Sequence, residues 1–203
     1  MAETGVAALR RSPLAHLTEA MRAAAVTGAR GVALAERPFL TMVNLRVAPG
    51  SAAAGRVEKV LGVPLPRACG DTATAGSRTA VWLGPDEWLV VSPASSGEGT
   101  AGIAQALGGA PGSVVDVSAH RTTLELSGPS ARQVLEKGCP LDLHPRVFGP
   151  GRAVSTTVGP VGVLLWQVDD APTYRLLARS SFADHLARRL IDAMGEFGGP
   201  EVP

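Results

Sequence analysis

A thiol and two imidazoles fall within one stretch of this chain: His120, Cys139 and His144, the last two five positions apart. Such groups can ligate a metal or form a nucleophile–base pair. A metal needs about three or four convergent ligands. The C-x-x-C, H-x-x-x-H and H-E-x-x-H spacings are missing from this sequence of two cysteines and four histidines. Cys139 follows Gly138 at the end of an expected helix, where the macrodipole disfavours the anion a nucleophile requires. Structural roles are therefore expected for all three residues, with no metal site.

Carboxylates and arginines offer other chemistry. Asp116 stands between Val115 and Val117 in an apolar strand, a costly place unless it is paired, and Arg121 across the next corner is the natural partner. A structural pair is favoured there over a catalytic acid. Asp142, in Cys139-Pro-Leu-Asp-Leu-His-Pro145, either presents a carboxylate to a ligand or caps the loop's own amides, the second being preferred. Asn44 and Arg46 share a strand face that suits a carboxylate ligand, a solvated surface or an interface. Gly108-Gly109-Ala-Pro-Gly112 precedes a strand instead of following one, and Pro111 lacks an N–H. Flavin or nicotinamide binding by this chain is accordingly not expected.

Periodicity supplies the elements that hold these residues. Residues 39–47 (FLTMVNLRV) alternate, with Phe39, Thr41, Val43, Leu45 and Val47 on one face of a half-buried strand. Ser51 caps a helix that turns Val57, Val60 and Leu61 inward and stops at Gly62 and Pro64. Residues 68–77 read as loop. Residues 79–83 and 87–91 flank Gly84-Pro85-Asp86 as a hairpin, with Trp82 and Trp88 sealing the core. After a Ser/Gly loop at 93–100, Ile103, Ala104 and Leu107 mark a short helix closed by Gly108-Gly109.

The pattern then repeats. Thr122, Leu124 and Leu126 alternate with Thr123 and Glu125, and Gly128-Pro129 opens a helix with Ala131, Val134 and Leu135 inward. Residues 153–158 and 161–168 pair around Gly159-Pro160, and 173–178 form a further strand. Ser181 and Asp184 outline a capping box for a last helix, lined by Phe182, Leu186, Leu190 and Met194 and frayed from Gly195. Residues 1–36, rich in Ala, Gly and Arg, read as an irregular docking arm anchored by Ser12-Pro13-Leu14 and Leu17, with a turn of helix at 20–25. The expected fold is α+β: two related split β-α-β-type halves, each a small sheet with helices outside. The arm covers 1–36, the halves 37–112 and 113–195, and the tail 196–203.

Composition limits the function. With 45% hydrophobic residues in 203, the chain can bury one large core or two small ones. Charged residues are 18% of the chain, below the ~25% of ordinary soluble domains, so a neutral surface is available for partner subunits. A net charge of +1, with no basic block or aromatic series, gives no footprint for nucleic acid. Two distant cysteines, no leader-like N-terminus and no spanning apolar run lead to an expectation of a soluble, cytoplasmic protein away from membranes.

Taken together, Ser12-Pro-Leu-Ala-His16, Pro38-Phe-Leu-Thr-Met-Val-Asn-Leu-Arg-Val47, Leu83-Gly-Pro-Asp-Glu-Trp-Leu-Val-Val91, Asp116-Val-Ser-Ala-His-Arg121, Gly138-Cys-Pro-Leu-Asp-Leu-His-Pro145 and Ser180-Ser-Phe182 resemble the gamma subunits of heterotetrameric sarcosine oxidases. That family is in turn similar to the folate-binding aminomethyltransferase of glycine cleavage, whose central motif is outlined by Asp116-Val-Ser, Leu126-Ser-Gly-Pro-Ser-Ala131 and Leu141-Asp142. Leu141 stands where the transferase has Asn, and its tyrosine and paired acids are missing from 155–167. The resemblance implies a non-redox structural subunit of a complex that demethylates sarcosine to glycine, giving formaldehyde or methylenetetrahydrofolate and hydrogen peroxide. It also implies that alpha and beta subunits hold FAD, FMN, NAD and tetrahydrofolate, and that a delta subunit holds zinc. The rival reading is a freestanding folate-binding C1-transfer protein, with Asp142 on the pterin or amine and Arg46 or Arg121 on the glutamate tail. A third is a repair factor with a K-G-C-Y-x-G-Q-E motif, of which Lys137-Gly138-Cys139 matches the start.

Overall fold

The computed structural model describes residues 9–94 and 100–199. Residues 1–8, the middle of the expected loop at 93–100, and the expected tail beyond 199 lie outside the described residues.

Ten strands form two antiparallel five-stranded sheets. In chain order, β1 (Ala33–Arg37) and β2 (Thr41–Val47) precede helix α2 (Ala52–Leu61), and a short helix α1 (Thr18–Ala23) comes before them. Then follow β3 (Thr72–Ala75), β4 (Arg78–Gly84), β5 (Glu87–Ser92) and α3 (Thr100–Leu107). The second run is β6 (Gly112–Asp116), β7 (Arg121–Ser127), α4 (Ala131–Glu136), β8 (Ala153–Val158), β9 (Val161–Asp169), β10 (Thr173–Arg179) and α5 (Ala183–Gly198).

The strand orders are β6-β2-β5-β4-β3 and β1-β7-β10-β9-β8. They match position by position, with each run's opening strand lying on the other run's sheet. β1 pairs with β7 and β6 with β2, so the two halves are laced together at their first strands.

Each sheet buries one face under helices and the other against its partner. Val43, Leu45, Trp88 and Val90 pack under Val57 and Leu61 of α2 and Ile103 and Leu107 of α3. Leu124, Leu126, Leu165 and Leu176 pack under Leu135 of α4 and Leu186 and Leu190 of α5. Between the sheets, Met42, Val81, Leu89 and Val91 meet Ala153, Leu164, Trp166 and Leu177. The layers therefore run helix, sheet, sheet, helix. This explains why both faces of β5 and β9 are apolar, whereas β2 keeps the expected alternation, with Val43, Leu45 and Val47 buried and Asn44 and Arg46 on the other face.

Local chemistry sets several boundaries as expected. Ser51 Oγ accepts from Ala54 N at 3.1 Å, and Gly62 ends α2 at φ +69°. Pro85 and Asp86 turn the β4–β5 hairpin, and Trp88 donates to the Pro66 carbonyl at 2.7 Å from its buried position.

Other expectations need correction. Residues 9–36 are not an irregular arm: Leu14, Leu17 and Met21 are buried in the core of the β7 sheet, and residues 33–37 are its edge strand. Residues 72–75, expected as loop, pair with β4. Phe39 leaves the strand with φ +60° and lies under Arg10, 4.7 Å from its guanidinium carbon. Val60 and Ala104 face outward, and Ala106 takes the inward place in α3. No capping box forms at 181–184. Asp184 instead meets His16 Nε2 at 2.7 Å and Arg188 Nε at 2.9 Å, while Phe182 is exposed. Helix α5 continues past Gly195, because Phe197 is buried and covered by Arg30 and Lys137.

Candidate functional site

The residues singled out in the sequence do not converge. Asp116 makes no pair with Arg121; it is exposed, and its Oδ1 accepts from Ser118 N at 2.8 Å in a local turn. The hydrogen bonds from Ser118 hold its carboxyl below the usual range. Arg121 bonds the Leu177 carbonyl at 3.3 Å, and burial, then repulsion from Arg179, lowers its pKa. Asp142 Oδ1 accepts from His144 N at 2.9 Å, so it does cap its loop. Arg46 is tied to Asp86 at 2.9 Å, and Asn44 donates to Glu87 at 2.7 Å. Among the described residues, no hydrogen bond or ion pair joins any two of Arg46, Arg121 and Asp142, and no group of three or more His, Cys, Asp or Glu is placed to hold a metal ion. Cys139 is buried with its sulfur 3.9 Å from Thr156 Oγ1.

A different set does converge, at one end of the seam between the sheets. Cross-strand partners share a sheet face. Register sets Ala35, Glu125, Arg175, Trp166 and Ala153 in one row across five strands. Arg37, opposite Thr123, lies in the next row. Glu125 accepts from Arg37 Nη2 at 2.7 Å and from Arg175 Nε at 3.0 Å. Burial opposes its charge, but the two arginine hydrogen bonds outweigh burial and hold its carboxyl below the ordinary range. The Arg175 guanidinium carbon sits 5.1 Å from the Trp166 ring centre.

Arg37, Arg175 and Trp166 border a cleft of about 730 Å³, with Glu125 behind the two arginines. Its walls are Leu40, Val91, Trp166 and Val168, with Thr74, Ser77 and Thr79 from the facing hairpin. The sequence carried a weak signal for the site. Glu125 stands between Leu124 and Leu126, and Arg175 between Tyr174 and Leu176, but their pairing across 50 residues is not visible from spacing.

The two laced sheets with helices outside have the fold of part of an aminomethyltransferase. The chain superposes on the glycine cleavage aminomethyltransferase T from Bartonella henselae with a TM-score of 0.64 at 15% identity, covering 90% of this chain and 57% of that one. Within that class the assignment is specific. The model of the "Sarcosine oxidase, gamma subunit family" matches residues 46–196, and this chain belongs to that family. It is 50% identical over 196 residues to the sarcosine oxidase subunit gamma of an Arthrobacter species, covering 96% of this chain and 94% of the relative. For the subunit gamma of Corynebacterium sp. strain U-96 the identity is 48%, with the same shares covered. A chain of the heterotetrameric sarcosine oxidase from Corynebacterium sp. U-96, solved in complex with pyrrole 2-carboxylate, superposes with a TM-score of 0.92 at 45% identity, covering 96% of this chain and 100% of that one.

Proposed function

We propose that this chain is the gamma subunit of a heterotetrameric sarcosine oxidase and that it acts there by position, without a redox centre of its own. The complex would oxidatively demethylate sarcosine: oxygen is reduced to hydrogen peroxide, and the methyl carbon leaves as formaldehyde or as methylenetetrahydrofolate. Alpha and beta subunits would carry FAD, FMN, NAD and tetrahydrofolate, with zinc in a delta subunit. The observation that carries this reading is the end-to-end superposition on a chain of such a heterotetramer, where the transferase is matched over little more than half its length. The engagement of Arg46, Arg121 and Asp142 by neighbours within the chain supports a scaffolding role over folate transfer. A cytoplasmic location follows from the same reading, and no helix among the described residues is long and apolar enough to cross a membrane.

Co-expression tests it directly. The tagged chain, expressed with the neighbouring reading frames, is expected to bring down three further chains and sarcosine-dependent peroxide production. Omitting its gene should leave the remaining chains unassembled or inactive. Full oxidase activity without it, or a tagged chain that purifies with no partner, would overturn the proposal.

A further inference from the structure

The cleft at the end of the sheet seam has the composition of a small-molecule site. About 730 Å³ lies inside the ~300–1,000 Å³ range of such sites. The ionisable groups among its described lining residues are Arg37 and Arg175, both cationic. Glu125 engages each through one nitrogen, Nη2 of Arg37 and Nε of Arg175. A guanidinium has about five N–H donors, so most of those on both residues remain uncommitted. One carboxylate between two guanidinium groups also leaves a single positive charge. Glu125 therefore fixes the arginines without cancelling them.

Beside the arginines the lining is largely apolar. Trp166 is 6% exposed, and its indole N–H is a buried donor without an acceptor among the described residues. Leu40, Val91 and Val168 complete the apolar part of the lining. Two cations and no acid among the described lining residues make a metal ion an unsuited guest, and the single excess charge suits a monoanion better than a dianion.

We propose that this cleft binds a small amphipathic monocarboxylate, its anionic end on the outer N–H groups of Arg37 and Arg175 and its flat apolar body against Leu40, Val91 and Trp166. The arginine forks match a carboxylate in geometry as well as charge. The proposal goes beyond assembly and does not depend on it, since every group comes from this chain.

The test is calorimetric titration of the full chain, in the co-purified complex, with 2-naphthoate and with its neutral isostere 2-naphthamide. The acid is expected to bind about tenfold or more tightly than the amide. Arg37→Gln and Arg175→Gln should each weaken the acid about tenfold and leave the amide unchanged. Arg175→Lys should retain part of the affinity. Arg37 is 54% exposed, so its variant remains a fair test if Arg175→Gln fails to fold. Equal affinity for acid and amide, or no saturable binding at millimolar concentrations, would overturn the proposal. So would acid binding indifferent to both glutamine variants, which would locate the guest on another subunit.

Discussion

At the scale of single residues, Glu125 ties together three neighbouring strands of one sheet, β1, β7 and β10, at the end of the seam. Its carboxylate is largely buried and shared by two arginines on neighbouring strands. Removing it strands two cations, and partial exposure of both places the loss near the lower end for buried pairs, about 2–3 kcal/mol. The pH dependence has a definite sign. The folded-state pKa is depressed, so the stabilisation is complete above the unfolded value of ~4.3 and fades as pH falls through the folded one. Thermal melts of wild type and Glu125→Gln should therefore differ fully at neutral pH and converge on acidification below that value. A gap that persists unchanged in acid would contradict this role. The sequence disclosed the local part of such chemistry and missed the distant part. Asp142 caps a loop as its surroundings suggest, because the acceptor and amide are two residues apart. Asp116 finds Ser118 before it can reach Arg121, since a turn puts an amide within reach at less entropic cost than an ion pair.

Among elements, the legible ones are those whose stop signals are local. Ser51 and Gly62 bracket α2, and Ser51→Ala should cost about 1 kcal/mol. Strand β3 stayed hidden because Thr-Ala-Thr-Ala has no large apolar side chain, which an edge strand does not need. The corner between β7 and α4 is more constrained than its Gly-Pro motif discloses. Gly128 adopts φ +112°, and a Cβ there would lie 2.6 Å from the Gly31 carbonyl oxygen, which also accepts from Ser130 N. Gly128→Ala should cost about 2–4 kcal/mol. Gly62→Ala meets open space at φ +69° and should cost only the backbone strain, about 1 kcal/mol. Urea midpoints at constant slope measure both, and equal losses would refute the proposed contact.

Across the whole molecule, the exchange of first strands decides what the N-terminal segment does. Sequence patterning gave two similar halves but could not show that β1 joins the second and β6 the first. Ala-Leu-Ala-Glu-Arg presents one large apolar residue, and its partner Leu126 lies far along the chain. Nothing local encodes such a pairing. Its consequence separates an arm from a structural strand. If residues 9–37 merely docked the chain onto a partner, deleting them would leave a folded body that no longer assembles. The observed packing predicts otherwise. Leu14, Leu17, Met21 and Leu34 are all buried with the β7 sheet. Their loss, at about 2 kcal/mol each, is comparable with the ~5–15 kcal/mol that a domain has in total. Deletion would also uncover the β7 edge to other chains. A chain starting at residue 38 should therefore be insoluble and protease-sensitive even when partners are co-expressed. Recovery of a soluble truncated chain with native melting behaviour would return the segment to the role of an arm. The lacing of halves by their opening strands also means that neither sheet is complete without the other's repeat. The unit this family folds and assembles is then the pair of halves, and cutting between β6 and β7 should yield two fragments that fold only when mixed.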